Sequence, residues 1–277
     1  MNRNLILRII TAVAGVGLII PALVWSPYGI WFFCALLSTA GLWEYLGISG
    51  VSTKRYRIPS LIAGILIWLL VLFQLSSDLV GVGQIPDKLI WVGAILILPL
   101  VELFALFNSQ EKHPMETVSS VAMAFIYCFL PFFLLYDLSI PKIAAEYDFW
   151  LPLGILILTW ALDTMAYFSG RFFGKHPLFP RISPKKTWEG AIGGAIFCLA
   201  FGYGLQYFLQ PDSYNWIIIS GIICVFSQFG DLVESMYKRS VDLKDSGSLL
   251  PGHGGILDRF DGMYLSLPFL YLYFSLL

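Results

Sequence analysis

Charge is what this chain has least of. Asp, Glu, Lys and Arg make up 13% of its 277 residues, about half the share found in a soluble domain, while 58% are hydrophobic and 16% aromatic. So few charges leave the outside of a large core uncovered in water, and the bilayer is the solvent that the composition fits. Neither sign is in excess. The 17 Lys and Arg against 18 Asp and Glu give a formal charge of −1, which excludes the global basic field that draws a protein to nucleic acid. Cysteine is scarce as well. Cys34, Cys128, Cys198 and Cys224 stand far apart inside apolar runs, with no CxxC pair and only His113, His176 and His253 as nitrogen partners. That spacing argues against a zinc site or a disulfide scaffold and leaves the thiols as small buried hydrophobes. There is no fixed-period repeat and no low-complexity tract. The apolar stretch after Arg3 and Arg8 lacks an A-x-A cleavage site and reads as a retained span.

Long apolar runs are what the chain has instead. Stretches near the roughly 20 residues of a membrane helix lie at about 5–25, 28–48, 58–76, 88–107, 118–138, 148–170, 190–210, 214–237 and 259–277. They predict an all-α, polytopic integral membrane protein with about nine transmembrane helices. The third and fourth are separated by Gly81-Val82-Gly83, and the last contains Pro268. Basic residues test the count independently, because cytoplasmic loops retain Lys and Arg. With the N-terminus cytoplasmic, fifteen of the seventeen fall on that side, leaving only Lys88 and Lys142 opposite. One central span more or fewer would transfer every later loop and destroy the bias, so the C-terminus is expected on the opposite side.

Polar chemistry collects in the second half. Two cytoplasmic loops, 171–189 and 238–258, are long and rich in charge, Gly and Pro, and nothing similar occurs earlier. Residues 1–150 therefore read as N-terminal membrane scaffold, and residues 151–277 as the region that carries the chemistry. Ionisable groups in apolar helices are costly and mark functional positions. Asp163, Asp231 and Glu234 sit at the cytoplasmic ends of their helices, beside the two loops. Asp231 and Glu234, three apart, share a helix face, as do Asp163 and Tyr167, four apart. Asp258 and Asp261 repeat the three-residue spacing. If 214–237 and 259–277 pack side by side, four carboxylates meet at the cytoplasmic surface, a set that needs compensating cations and selects hard ones such as Mg2+. The alternative for Glu234 is an i,i+4 ion pair with Lys238. Glu44 and Glu102 have no loop cluster nearby; interhelical hydrogen bonding is their expected use, and both are left outside the site.

In Pro251-Gly252-His253-Gly254-Gly255, three glycines permit positive φ and present successive backbone N–H groups, the makings of an anion-binding nest. A bare turn is the alternative. Lys238, Arg239 and Lys244 before it, and Asp258, Arg259 and Asp261 after it, favour phosphate. Cation-binding acids beside phosphate-binding backbone and basic groups are the general arrangement of phosphoryl or nucleotidyl transfer. The earlier loop carries Ser183-Pro184-Lys185-Lys186-Thr187-Trp188-Glu189-Gly190, a second basic cluster that suits anionic headgroups. Gly170 to Lys175 is one residue short of a Walker loop and has His176 where Ser or Thr is required, which excludes that motif.

The run Ser235-x-x-Lys238-Arg239-x4-Lys244-Asp245-x-Gly247-x3-Pro251-x-His253-Gly254-Gly255-x-x-Asp258-Arg259-x-Asp261 resembles, over 27 consecutive residues, the signature of the phosphatidate cytidylyltransferases, or CDP-diacylglycerol synthases. Asp163-x-x-Ala166-Tyr167-x-x-Gly170-Arg171 and Ser183 to Gly190 are similar to that family's other blocks. The likeness covers roughly residues 160–262, and the first 150 residues match only in hydropathy and span count. Tyr237 departs from an expected aliphatic or Phe position. The resemblance implies an enzyme of phospholipid biosynthesis that condenses CTP with phosphatidic acid to CDP-diacylglycerol and pyrophosphate. It also implies Mg2+, a second, monovalent cation such as K+, a homodimer, and residence in the cell (inner) membrane with the active site facing the cytoplasm. By the same resemblance Asp231, Asp258 and Asp261 hold the metals. Lys238, Arg239, Lys244, Asp245, His253 and Arg259 complete the catalytic set. Asp163, Arg171, Ser183, Lys185, Lys186, Thr187, Gly254 and Gly255 bind substrate. Two other classes share parts of this pattern: a CTP-dependent polyprenol kinase, which transfers the γ-phosphoryl group, and a secondary transporter, which places its site at the midplane between repeated halves.

Overall fold

A computed structural model describes residues 15–51, 53–80, 99–103, 106–107, 113–140, 147–211, 214–247, 249 and 254–277. In chain order the helices are α1 (Gly15–Trp25), α2 (Pro27–Ile48), α3 (Ile58–Val80, entered through a π-helical turn at Thr53–Arg57), α4 (Pro114–Ser139) and α5 (Trp150–Phe173). A two-stranded hairpin, β1 (Pro177–Phe179) and β2 (Ser183–Thr187), leads to α6 (Trp188–Leu209), α7 (Trp216–Ser240) and α8 (Leu257–Ser275). Among the described residues, six helices are long and apolar enough to cross a membrane: Pro27–Ile48, Arg55–Ser76, Pro114–Ser139, Trp150–Phe173, Trp188–Leu209 and Trp216–Ser240. At 1.5 Å per residue even the shortest reaches about 33 Å, the thickness of a hydrocarbon core. The chain is a polytopic helical membrane protein. α8 is shorter, at 19 residues, and opens with Asp258, Arg259 and Asp261. The beginning of the predicted span 5–25 and most of 88–107 lie outside the described residues.

Local chemistry sets the boundaries. Pro27 occupies the first turn of α2, where its missing N–H has no acceptor to lose. Asn215 caps α7, its Oδ1 accepting from the amides of Ile217 (2.8 Å) and Ile218 (3.4 Å). Thr187 caps α6 by accepting from the Gly190 amide at 3.2 Å. The hairpin is a departure from the reading of 171–189 as a loop in an all-α protein. β1 and β2 pair antiparallel, Pro177 opposite Thr187 and Phe179 opposite Ser183. With Pro184 and two lysines, β2 has no apolar alternation to announce it. The hairpin is tied to α6 by Glu189, which accepts from the Lys175 amide (3.0 Å), the His176 amide (3.2 Å) and the His176 ring (2.6 Å).

Two close approaches place the site. The buried residues of α6 are Gly190, Gly194, Cys198 and Gly202, one every four. This stripe of small residues lets α5 and α7 come near; a Cβ at Gly194 would stand 2.8 Å from the Leu162 carbonyl of α5. Many of its large side chains, including Ile192, Ile196, Phe201 and Tyr203, are exposed. Between α7 and α8, a Cβ at Gly230 would lie 2.7 Å from the Asp261 carbonyl and 3.1 Å from the Gly262 Cα, so glycine alone allows this contact. One hydrophobic core joins both halves of the chain, from Leu23, Ile30 and Phe33 to Trp216, Met263 and Leu267. At the end away from the charged loops, Tyr214 donates to Asp148 at 2.6 Å and the Asn215 amide donates to the Tyr273 hydroxyl at 3.0 Å. Burial and the Asp148 carboxylate push the Tyr214 phenol well above its ordinary range.

Candidate active site

α7 and α8 do pack side by side, and their carboxylates meet in two groups. The first centres on Lys238, in the last turn of α7 and 8% exposed. It pairs with Glu234 one turn back and with Asp258 of α8 at 2.6 Å. The i,i+4 pair anticipated as the alternative for Glu234 is therefore formed. Asp258 also accepts from the Ser246 amide (3.0 Å) and the Gly255 amide (2.8 Å). It thus closes the loop between α7 and α8 on itself, at a helix start where the dipole favours negative charge. The positive φ anticipated from the glycine run is found at Gly254, at +85°, where a Cβ would come within 2.8 Å of Asp258 Oδ2. The Gly255 amide, anticipated for phosphate, is directed at Asp258 instead.

The second group lies between α5, α7 and the hairpin. Lys186 of β2 pairs with Asp231 of α7, bringing the first charged loop against that helix. Asp231 also accepts from Ser235 at 3.4 Å. Asp163 on α5 lies within electrostatic range of both Asp231 and Lys186. Asp261 is within range of Asp231, Asp163 and Glu234, and its hydrogen bond is to the Gly262 amide at 2.8 Å. From Asp163 to Asp258 the string holds five carboxylates and two lysines, Lys186 and Lys238. That excess of negative oxygen has the chemistry of a hard-cation site. Among the described residues no three carboxylate, imidazole or thiol groups already converge as a metal cage; Asp231 is turned to Lys186, and Asp258 to Lys238.

The remaining predicted residues frame these groups. Arg171, exposed, donates to Tyr167 at 3.0 Å. Ser183 and Thr187 are half-buried on β2, and Lys185 beside them is exposed. Arg239 donates to the Leu243 carbonyl at 2.8 Å, shaping the turn in which Lys244 and Asp245 are exposed. Arg259 is exposed on the first turn of α8. His253 lies outside the described residues. Glu44 of α2, expected to serve interhelical hydrogen bonding, does so, buried against the loop that contains Ser246 and the start of α8. Its partners are 202 and 213 residues away, and a buried acid in an apolar run was the only sign of it. Glu102, by contrast, is exposed.

A model described as "Cytidylyltransferase family" matches residues 6–277. A phosphatidate cytidylyltransferase of Staphylococcus aureus (strain COL) is 32% identical over 95% of this chain and 96% of its own length. One of Bacillus subtilis (strain 168) is 31% identical over 100% of this chain and 98% of its own. Another, of Staphylococcus haemolyticus (strain JCSC1435), is 31% identical over 95% and 96%. A match that runs unbroken from the first apolar stretch through the charged string to the last residue shows that the chain belongs to the cytidylyltransferase family.

Proposed function

We propose that this chain is a phosphatidate cytidylyltransferase, transferring CMP from CTP to phosphatidic acid with release of pyrophosphate. The observation that carries the reading is the string of charges at one end of α5, α7 and α8, bordered by two basic loops, in a chain whose full-length relatives bear that name. A phosphatidate oxygen attacks the α-phosphorus of CTP in line, the bond to the β-phosphate oxygen breaks, and pyrophosphate leaves. The nucleophile is already an anion at neutral pH, so no general base or covalent intermediate is needed. What the protein contributes is alignment and relief of charge repulsion. In this reading Lys185 and Lys186, with Ser183 and Arg171, receive the lipid phosphate. Arg239, Lys244 and Arg259, with His253 and Gly254, receive the nucleotide phosphates in the same reading. Lys238 fixes Asp258 and thereby the start of α8.

The donor set fits Mg2+. Asp231 and Asp261, with Asp163 beside them, bring carboxylate oxygen together in excess of cations, and Asp258, the third ligand implied by the family signature, joins them only by sharing with Lys238. Bound there, the ion supplies neutralisation of triphosphate charge and of the leaving pyrophosphate. A monovalent cation such as K+ beside it and a homodimer complete the proposal and rest on the family resemblance. So does an inner-membrane location, whereas the nine-span topology with a cytoplasmic N-terminus is supported by the apolar runs and the distribution of basic residues, and the division into scaffold (1–150) and catalytic region (151–277) by where the polar chemistry collects. Purified protein incubated with radiolabelled CTP, phosphatidic acid and Mg2+ is expected to form a lipid-soluble cytidine product and pyrophosphate. CDP as product would indicate a kinase instead, and no product from folded protein would end the proposal.

A further inference from the structure

The first half of the chain sends one carboxylate into the site. Glu44, near the end of α2, is 4% exposed. Its Oε2 accepts the amide of Leu257, the first residue of α8, at 2.9 Å and the hydroxyl of Ser246, itself buried, at 3.3 Å. These partners stand on either side of the glycine run. Asp258 grips the same two places, through the amides of Ser246 and Gly255. The loop also lacks side chains where Glu44 lies: a Cβ at Gly247 would be 2.7 Å from Glu44 Oε1, and one at Gly255 would collide with both Glu44 and Ser246. Behind Glu44, Arg57 acts on it electrostatically and lies 3.5 Å over the Trp43 ring. A buried carboxylate is costly unless its bonds accomplish something, and these fasten the scaffold to the first turn of α8.

We propose that Glu44 is a positioning residue for the transfer reaction, holding Ser246 and Leu257 so that Asp258 reaches Lys238 and Asp261 faces Asp231. What is being positioned rests on the cytidylyltransferase reading; the contact does not. Two variants separate its roles. Glu44→Gln keeps an acceptor oxygen for both donors, and Glu44→Ala removes it. In lipid nanodiscs, the alanine variant is expected to lower kcat at least about tenfold, the scale of effect produced by small misplacements of reacting groups. The KM for phosphatidic acid, whose proposed contacts are on the hairpin, stays within about twofold. The glutamine variant keeps kcat within about threefold. Hydrogen exchange, read in the same samples, is expected to accelerate in the alanine variant at peptides spanning 244–258, with the glutamine variant matching wild type. An alanine kcat near wild type, a glutamine variant as impaired as alanine, or exchange that accelerates across all helices overturns the proposal. If wild type forms no CDP-lipid, the reading of function fails, while the exchange comparison still decides whether Glu44 holds the loop.

Discussion

Asp261 stands among three other acids, Asp231, Asp163 and Glu234, and takes its hydrogen bond from a backbone amide. Lys238 is its opposite, a buried cation satisfied on two sides by Glu234 and Asp258. The two residues should therefore respond differently to removal of charge. Asp261→Asn relieves repulsion in the absence of a divalent cation, so it is expected to raise the thermal midpoint by a few degrees, roughly 2–4 °C per kcal/mol in a protein of this size. The same change should lower turnover at least about 100-fold, an exchange of activity for stability familiar at strained sites. A midpoint that falls would assign Asp261 to structure. Truncating Lys238 instead strands two buried carboxylates, which in comparable pairs costs about 3–5 kcal/mol.

Among the elements, α6 shows how narrow a contact can organise the site. Its buried face is the stripe Gly190, Gly194, Cys198 and Gly202. Gly194→Leu drives a side chain into the Leu162 carbonyl and Ala166 of α5, and overpacking of this kind costs about 1–3 kcal/mol. The hairpin rides on the start of α6 through Glu189, so displacement should also carry Lys186 away from Asp231. The expected result is a lowered midpoint and strongly reduced turnover. Gly204→Leu, where a Cβ meets nothing within 4 Å, is the matched control and should be close to neutral. How much of this could be read from the chain depends on distance along it. Apolar runs, the Asp231 to Glu234 spacing and the i,i+4 partner of Glu234 are local, and local chemistry announces them. The hairpin lacks an apolar alternation, since β2 is Ser-Pro-Lys-Lys-Thr. The pairing of Lys186 with Asp231 and of Glu44 with Ser246 depends on which helices become neighbours, and hydropathy is silent on that. The glycine run was legible as a place for positive φ, but not as one whose Gly255 amide serves Asp258.

For the whole molecule, the asymmetry of basic residues makes a topology that labelling can test. The four native cysteines are buried, so a single introduced cysteine supplies the signal against low background. With a membrane-impermeant maleimide on intact cells, Leu277→Cys is expected to react and Lys185→Cys to react only after the membrane is opened; the reverse pattern would invert the proposed orientation. The stripe of small residues on α6 has one more consequence at this scale. Because the buried face of that helix is narrow and its large side chains are exposed, the proposed topology would set the basic hairpin at its head at the rim of the bilayer, beside lipid. On the proposed function, a two-tailed anionic lipid would then meet Lys185 and Lys186 without leaving its leaflet, whereas a nucleotide would arrive from water. The two reactants approach by diffusion in two and in three dimensions, and the concentration that governs the first is a mole fraction in the membrane.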